Sequence, residues 1–489
     1  MLARRQKSAR MLESIAMPKT KKTILFIFLL SLFCVIAPLT VFYSLGWRFD
    51  WINKRVTQPG IFYFKIWPKS SQIYINGSQE KKTDFFFGSA LIDNLTPKKY
   101  VIEIKKDGFF SWKKTLEITK GEATEAKNIL LFPVENKFNI ISNQTNNFFV
   151  SQDEKKAIIQ EFVETSTNKS SWFLNNFDIA RNLKVPVLSA DDLAKINPQK
   201  TAAPLKLINV KFSFDSNKIL LETSLAKNVS FYLLELDKTP IALNYINLPN
   251  PEIIQEVYFN PENNQQILFL QSNSIFKKDL TSKTIPALVK NNIVYFYATE
   301  KNIFYIDNAG FLTKTDFGFL QDQKLNTSPI KLADNADYKI YSLNSYVFLK
   351  ENNTLYELNN KTSAFDDIIS PFKNGDFSRD GKKFVYFTDN EIWILFLTDS
   401  YEQPEKKAGE KISLARFSSD LNNIFWLNDY YLIFSEGNKI KIAEIDNRDS
   451  VNIYDIGDYS NPKIFWSADN RELFTQSGND FYYLLNLAP

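Results

Sequence analysis

The chain has 489 residues, with 59 lysines and arginines against 55 acids, one cysteine and no histidine. The missing histidine excludes Ser-His-Asp and Cys-His nucleophile systems and imidazole zinc sites, and the lone Cys34 excludes an intrachain disulfide. Residues 1–22 hold seven basic groups and one acid, so the formal charge of +4 becomes −2 for everything after them, and nucleic acid is not expected as a partner.

In chain order, Arg4, Arg5, Lys7, Arg10, Lys19, Lys21 and Lys22, opposed only by Glu13, form a basic tail over 1–22. Residues 23–45 follow with no charge at all. At ~1.5 Å per residue this stretch spans the ~30 Å hydrocarbon core of a bilayer as one helix. The positive-inside rule sets the amino terminus in the cytoplasm and the bulk of the chain outside, giving a single-pass protein of the cell membrane. Tyr43, Trp47 and Trp51 suit the outer interface, and Pro38 is tolerated in a membrane helix. The competing reading is a signal peptide cut near Ser44-Leu45-Gly46, but the apolar run exceeds the usual h-region. A lipoprotein signal fails because Phe33, not a small residue, precedes Cys34.

Residues 46–60 read as a connector ending in the turn Gln58-Pro59-Gly60. From Ile61 the period shortens to two. Short segments rich in β-branched and aromatic residues alternate with Asn76-Gly77, Asp107-Gly108 and Lys120-Gly121, predicting a small antiparallel β unit over 61–133. Ile73-Tyr74-Ile75-Asn76-Gly77, Leu95-Thr96-Pro97-Lys98-Lys99-Tyr100, the strand to Lys105, Asp107-Gly108-Phe109 and Trp112 together resemble a PEGA domain. The glycine that family places after the proline is Lys98 here, which implies a different turn. The resemblance implies a β-sandwich of the kind found on bacterial and archaeal surface proteins, with no catalytic residues.

Residues 134–489 carry a repeat. Its cleanest copy runs from Asp376 through Ser378-Arg379-Asp380-Gly381 to Phe387 and then Glu391–Phe396: strand, polar turn, strand, turn, strand. About eight such units of a little over 40 residues predict a β-propeller of eight blades, with seven the alternative. The final unit shows only three strands, so Phe138–Ile141 is expected to complete it. The phrase Phe377–Phe387 resembles the repeat of TolB-like propellers, which Phe212–Asp215 and Trp466–Asp469 share in part. Arg181–Leu205 reads as a long loop between the first two blades, with a short helix at SADDLAKI. The fold class is therefore all-β: one transmembrane helix, a PEGA-like sandwich and a propeller.

Asp153, Asp215, Asp380, Asp420 and Asp469 recur at blade spacing and are read as turn residues bonding backbone amides, not as acids for catalysis. Trp172, Trp393, Trp426, Trp466 and most of the 43 phenylalanines are read as blade cores rather than a sugar-binding surface. The Asn-x-Ser/Thr matches at Asn94, Asn143, Asn168 and Asn352 are read as chance. No catalytic, cofactor-binding or metal-binding residue is assigned, and no cofactor is expected. The composite expectation is a non-enzymatic envelope protein whose propeller meets a protein or glycan partner. A carboxylate-dependent glycan hydrolase or lyase and a docking accessory of a translocation or cell-wall machine are the alternatives.

Overall fold

A computed structural model describes residues 18–50, 54–163, 171–198, 204–485 and 487. Arg4, Arg5, Lys7, Arg10 and Glu13 of the basic tail, with Trp51 and Asn168, lie outside the described residues. The chain divides into two compact units: residues up to 104 with 113–129, and residues 105–112 with 130–489.

The first unit opens with a helix, Lys19–Ser44, of which no residue is buried. It ends where Leu45 N–H donates to the Val41 carbonyl and Gly46 turns to φ +83°. Arg48 then folds back, donating to the Tyr43 carbonyl at 2.8 Å with its guanidinium 3.7 Å from the Tyr43 ring centroid. A two-stranded ribbon, Arg48–Asp50 with Arg55–Thr57, occupies the connector. Gln58 returns to the helix end, its Nε2 donating to the Leu45 carbonyl at 3.1 Å. Lys120 Nζ lies 4.2 Å from the Trp47 ring centroid.

Seven strands between residues 60 and 130 form two sheets. One orders Ser89–Leu95, Gly60–Trp67 and Ala123–Leu130; the other orders Ser78–Lys82, Gln72–Ile75, Lys99–Lys105 and Trp112–Glu117. Phe62, Phe64 and Ile66 point inward from the first sheet at alternate positions, as do Ile102 and Ile104 from the second. That is the period-two burial of a sandwich. Asn76 and Gly77 both take positive φ, as a tight hairpin turn demands. No residue of the Leu95–Tyr100 turn takes positive φ, which falls instead on Asn94 in the strand just before it, so no glycine is needed at Lys98.

Among its described residues the second unit contains eight four-stranded antiparallel sheets, so the blade count is eight. Blades 1 to 7 occupy 145–189, 205–246, 254–291, 293–324, 338–369, 374–416 and 421–458. Blade 8 takes three strands from 463–484 and its outermost from Asn139–Ser142, which pairs with Asp480–Leu484. The predicted closing strand is thus present, shifted by one residue. Each blade is wetted on neither face because its neighbours cover both. One apolar cluster joins blades 1 and 2 around Ile158, Trp172 and Ile219. Another joins blades 6 and 7 around Val385, Ile394 and Trp426. The ring closes where Phe148 and Phe177 of blade 1 meet Phe481 and Phe474 of blade 8, with centroids 4.9 and 5.8 Å apart. Beside blade 7, Phe132 packs edge-on against buried Tyr431, whose hydroxyl accepts from the Leu130 amide at 2.9 Å. Trp112, counted with this unit, donates to Glu444 Oε2 at 2.8 Å.

Two expectations need correction. Arg181–Leu205 is not one loop: Leu183–Ser189 is the outer strand of blade 1, pairing with Phe173–Asp178. Pro186 obscured it, but an edge strand can hold a residue without an N–H. The helix that follows, Ala190–Ile196, begins with a capping box between Ser189 and Asp192, and it drives Leu193 into the core between blades 1 and 2. It braces the ring instead of standing on it. Asp420, second, precedes the first strand of blade 7, Leu421–Asn428; the turn after that strand carries Asp429.

Candidate functional site

The first strands of successive blades are the ones that approach each other, while outer strands such as Ala287–Asn291 are wet. First strands therefore line the axis of the ring. Along them a two-residue pattern recurs: Asn147 and Phe149, Asn209 and Lys211, Glu256 and Tyr258, Tyr295 and Tyr297, Lys339 and Tyr341, Asn374 and Asp376, Asn423 and Phe425, Lys463 and Phe465. Because a strand alternates, these pairs share one side while the residues between them enter the blade cores; of the pairs, Tyr295 and Tyr341 are themselves buried and pack against those cores.

Contacts run from blade to blade around this wall. Lys211 Nζ reaches Glu256 Oε2 at 3.2 Å and lies 4.4 Å from the Tyr258 ring centroid. The Tyr258 and Tyr297 rings meet edge-on at 5.9 Å. On blade 6, Asn374 Oδ1 accepts from Lys339 Nζ at 3.0 Å and from the Tyr341 hydroxyl at 2.6 Å. Lys463 Nζ donates to Asn147 Oδ1 at 2.6 Å. Trp426, a core residue, donates its Nε1 to the Asp376 carbonyl at 3.2 Å and so fixes the blade 6 strand from behind. One interaction skips a blade. Arg379 of blade 6 pairs with Asp469 of blade 8, and Glu154 of blade 1 feels both. All three lie in the turns between first and second strands.

Water reaches Asp376 and Lys339, yet protein crowds them on every other side. That burial pushes the Asp376 carboxyl up to about 6, against the Phe377 amide and Lys339, which pull it down. It also lowers Lys339 and Lys463 and raises Tyr258, Tyr295, Tyr297 and Tyr341. Since the folded carboxyl sits above its ordinary 3.8, its stabilising protonated form is present below about pH 4 and lost as pH rises through about 6. Asp376→Asn is expected to match the parent near pH 4 and to exceed it near pH 8 by about 1 kcal/mol, allowing for screening by axial water. Urea midpoints at the two pH values check this.

The recurring aspartates fall elsewhere, in the turns. In blades 1, 2 and 6 the hydroxyl of Ser151, Ser213 and Ser378 donates to Asp153, Asp215 and Asp380 at 2.7, 2.5 and 2.6 Å. It accepts the amide five residues on, at Lys156, Lys218 and Lys383. Burial raises each carboxyl, but the serine and turn amides outweigh it and leave all three low. The same groups stitch neighbouring blades: Ser216 Oγ donates to Asp153 at 2.7 Å and the Asp380 amide to Asp429 at 3.0 Å. Asp469 faces Arg379. Trp172, Trp426 and Trp466 are buried; Trp393 stacks on Tyr386 at 6.4 Å.

A recess of about 920 Å³ lies between blades 2 and 3, lined by Tyr245, Phe276, Lys278 and Ile285. Its ammonium is already held by the Ser282 and Thr284 carbonyls. Among the described residues no group of three or more Asp, Glu, Cys or His could hold a metal ion.

No family model matches the chain, and no curated protein matches it. Solved structures do. The propeller domain of Myceliophteria thermophila Cps50 (Swd1) is 11% identical over 72% of this chain and 99% of its own, with a TM-score of 0.37. The Dos1 propeller is 13% identical over 72% and 95%, with a TM-score of 0.45. The computationally designed Ika8 protein is 11% identical over 72% and 98%, with a TM-score of 0.40. At such identity the likeness concerns fold alone, and the eight-blade assignment rests on the strand pairing itself.

Proposed function

We propose that this is a non-enzymatic, membrane-anchored protein of the bacterial cell envelope whose propeller binds a protein or glycan partner along its axis, on a PEGA-like stalk. The observation that carries the anchor is the helix Lys19–Ser44: its most apolar 18-residue stretch has a mean hydropathy of 2.8, and none of its residues is buried. Each apolar side chain left in water costs ~1.5–3 kcal/mol, which favours a lipid surround for the helix. Lys19, Lys21 and Lys22 at one end, and Arg48 with Trp47 at the other, support a crossing with the propeller outside. The axial wall supports binding, because tyrosine faces, carboxylates, amides and ammonium groups alternate there within reach of water.

Carbonate-washed membranes are expected to retain the intact chain, and a variant lacking residues 19–44 to leave them. Protease added to spheroplasts is expected to digest the propeller. Release of the intact chain by carbonate, or a propeller that stays protected, overturns the reading. In-cell crosslinking from Tyr258 or Lys339 then identifies the partner.

Asp376, held near neutral titration, favours a second reading, a glycan hydrolase using it as general acid. Asp376→Asn separates the two: a hydrolase loses turnover, and a binding protein loses affinity with no turnover to lose.

A further inference from the structure

Phe85, Phe86 and Phe87 stand side by side at 74%, 73% and 76% exposure in the whole chain. Elsewhere beyond the helix, exposed apolar residues stand singly, as Ile285 and Leu320 do, or in twos, as Phe49 and Val56 do, which is ordinary. Three adjacent phenylalanines in water are not.

Their exposure is built. Asp84 Oδ1 accepts the Phe87 amide at 2.5 Å, while Oδ2 accepts the Ser89 amide at 2.7 Å and the Ser89 hydroxyl at 2.6 Å. Gly88 takes φ +67°, and a Cβ there would strike the Ile66 carbonyl. The tip is therefore a turn clamped at its backbone, with its three rings presented to solvent.

A basic collar surrounds it. Lys65 pairs in register with Ser89, Lys69 lies beside Gly88, and Lys82 ends the strand before Asp84, all three exposed. Residues 60–130 hold twelve lysines against eight acids, whereas residues 131–489 hold 37 basic groups against 45 acids. The charge that complements anionic headgroups is concentrated in the unit that carries the helix.

The register fixes where the tip sits. Gly60 pairs with Leu95 at the end of the sandwich tied to the helix through Gln58, and Lys65 pairs with Ser89 at the opposite end. Five residues at ~3.3 Å each, plus the turn, separate the two by roughly 20 Å.

We propose that Phe85–Phe87 is a second membrane contact, a lipid-inserting tip that lays the sandwich along the outer leaflet of the bilayer holding the helix. This rests on the anchored reading given above. Aromatic rings favour the interfacial zone, and lysines around them add attraction to anionic lipid. Each signal alone is weak, but the helix turns the second contact into an intramolecular event at high effective concentration.

The test uses the full chain in lipid nanodiscs containing phosphatidylglycerol. An environment-sensitive NBD label is placed at Phe86→Cys in a Cys34→Ser background, and in a second sample at native Cys34. Doxyl lipids are expected to quench the Phe86→Cys label at least twofold with a blue-shifted emission. The effect is expected to weaken without phosphatidylglycerol, and in Lys65→Glu/Lys69→Glu/Lys82→Glu or Phe85→Ser/Phe87→Ser. Quenching at Cys34 with none at position 86 overturns the tip while leaving the anchor intact. No quenching at either site overturns both. A blue shift at position 86 that resists lipid quenchers and grows with two chains per disc assigns the tip to a second copy instead, which also overturns the proposal.

Discussion

Replacing Phe384 by alanine is expected to remove about 4 kcal/mol from the propeller and to weaken axial binding at the same time. The side chain is fully buried between blades 5 and 6. It stacks on Phe348 at 4.4 Å and meets Phe377 and Tyr341 edge-on at 4.9 and 5.7 Å. Phe→Ala costs ~3–5 kcal/mol where the cavity cannot collapse, and the three ring partners press toward the upper part of that range. The cavity opens beneath Tyr341, whose hydroxyl holds Asn374, so damage in the core is transmitted to the axis. Gly375→Ala approaches the same point from the other side. A Cβ there would lie 2.7 Å from Phe384 Cζ and from the Val385 carbonyl. Overpacking of that kind costs ~1–3 kcal/mol. Thermal and urea unfolding monitored by near-UV circular dichroism checks both variants. A Phe384→Ala midpoint equal to the parent would mean that blades 5 and 6 do not share this core.

Deleting Asn139–Ser142 is expected to have the next largest effect. The strand supplies three registered pairs to blade 8, and Phe138 packs on Tyr459 at 5.0 Å. Losing several backbone hydrogen bonds at ~1 kcal/mol each, with the apolar cover they hold, predicts a loss of roughly 2–5 kcal/mol. It also bares the edge of Asp480–Leu484, where Phe481 and Leu484 are now buried, and an open edge recruits other strands. The expected readout is a lower melting temperature together with oligomers on size exclusion. A synthetic peptide spanning residues 137–143 is expected to reverse both. Failure of the peptide, with the ring still monomeric, would show that blade 8 stands on three strands.

The blades were legible because their second and third strands are dense apolar runs. Lys383–Phe387 is buried throughout, as is Tyr431–Glu436. Outer strands escaped notice because solvent erases their alternation: Gln323–Lys324 is wholly exposed, and Leu183–Ser189 contains Pro186. The closing strand was readable from arithmetic, since a last unit with three strands needs a fourth. Asp153, Asp215 and Asp380 were readable as aspartates that bond turn amides; Asp469 sits in the equivalent turn but faces Arg379, and Asp420 copies the Ser-x-Asp spelling one strand too early. The axial wall was not. Lys211, Glu256, Tyr258, Lys339, Tyr341 and Asp376 share a position rather than a residue type, and Lys, Asn and Tyr abound throughout this composition. The signal that finds them is positional: polar or aromatic side chains two apart in each first strand, flanked by core residues.

Closing the circle with Asn139–Ser142 also imposes a timetable. Its partner, Asp480–Leu484, lies some 340 residues downstream. At a ribosomal pace of ~5–20 residues per second, about 20 to 70 s separate the appearance of the two. For that interval the nascent ring is a crescent with raw apolar ends, and a sequence separation this large makes the final docking intrinsically slow.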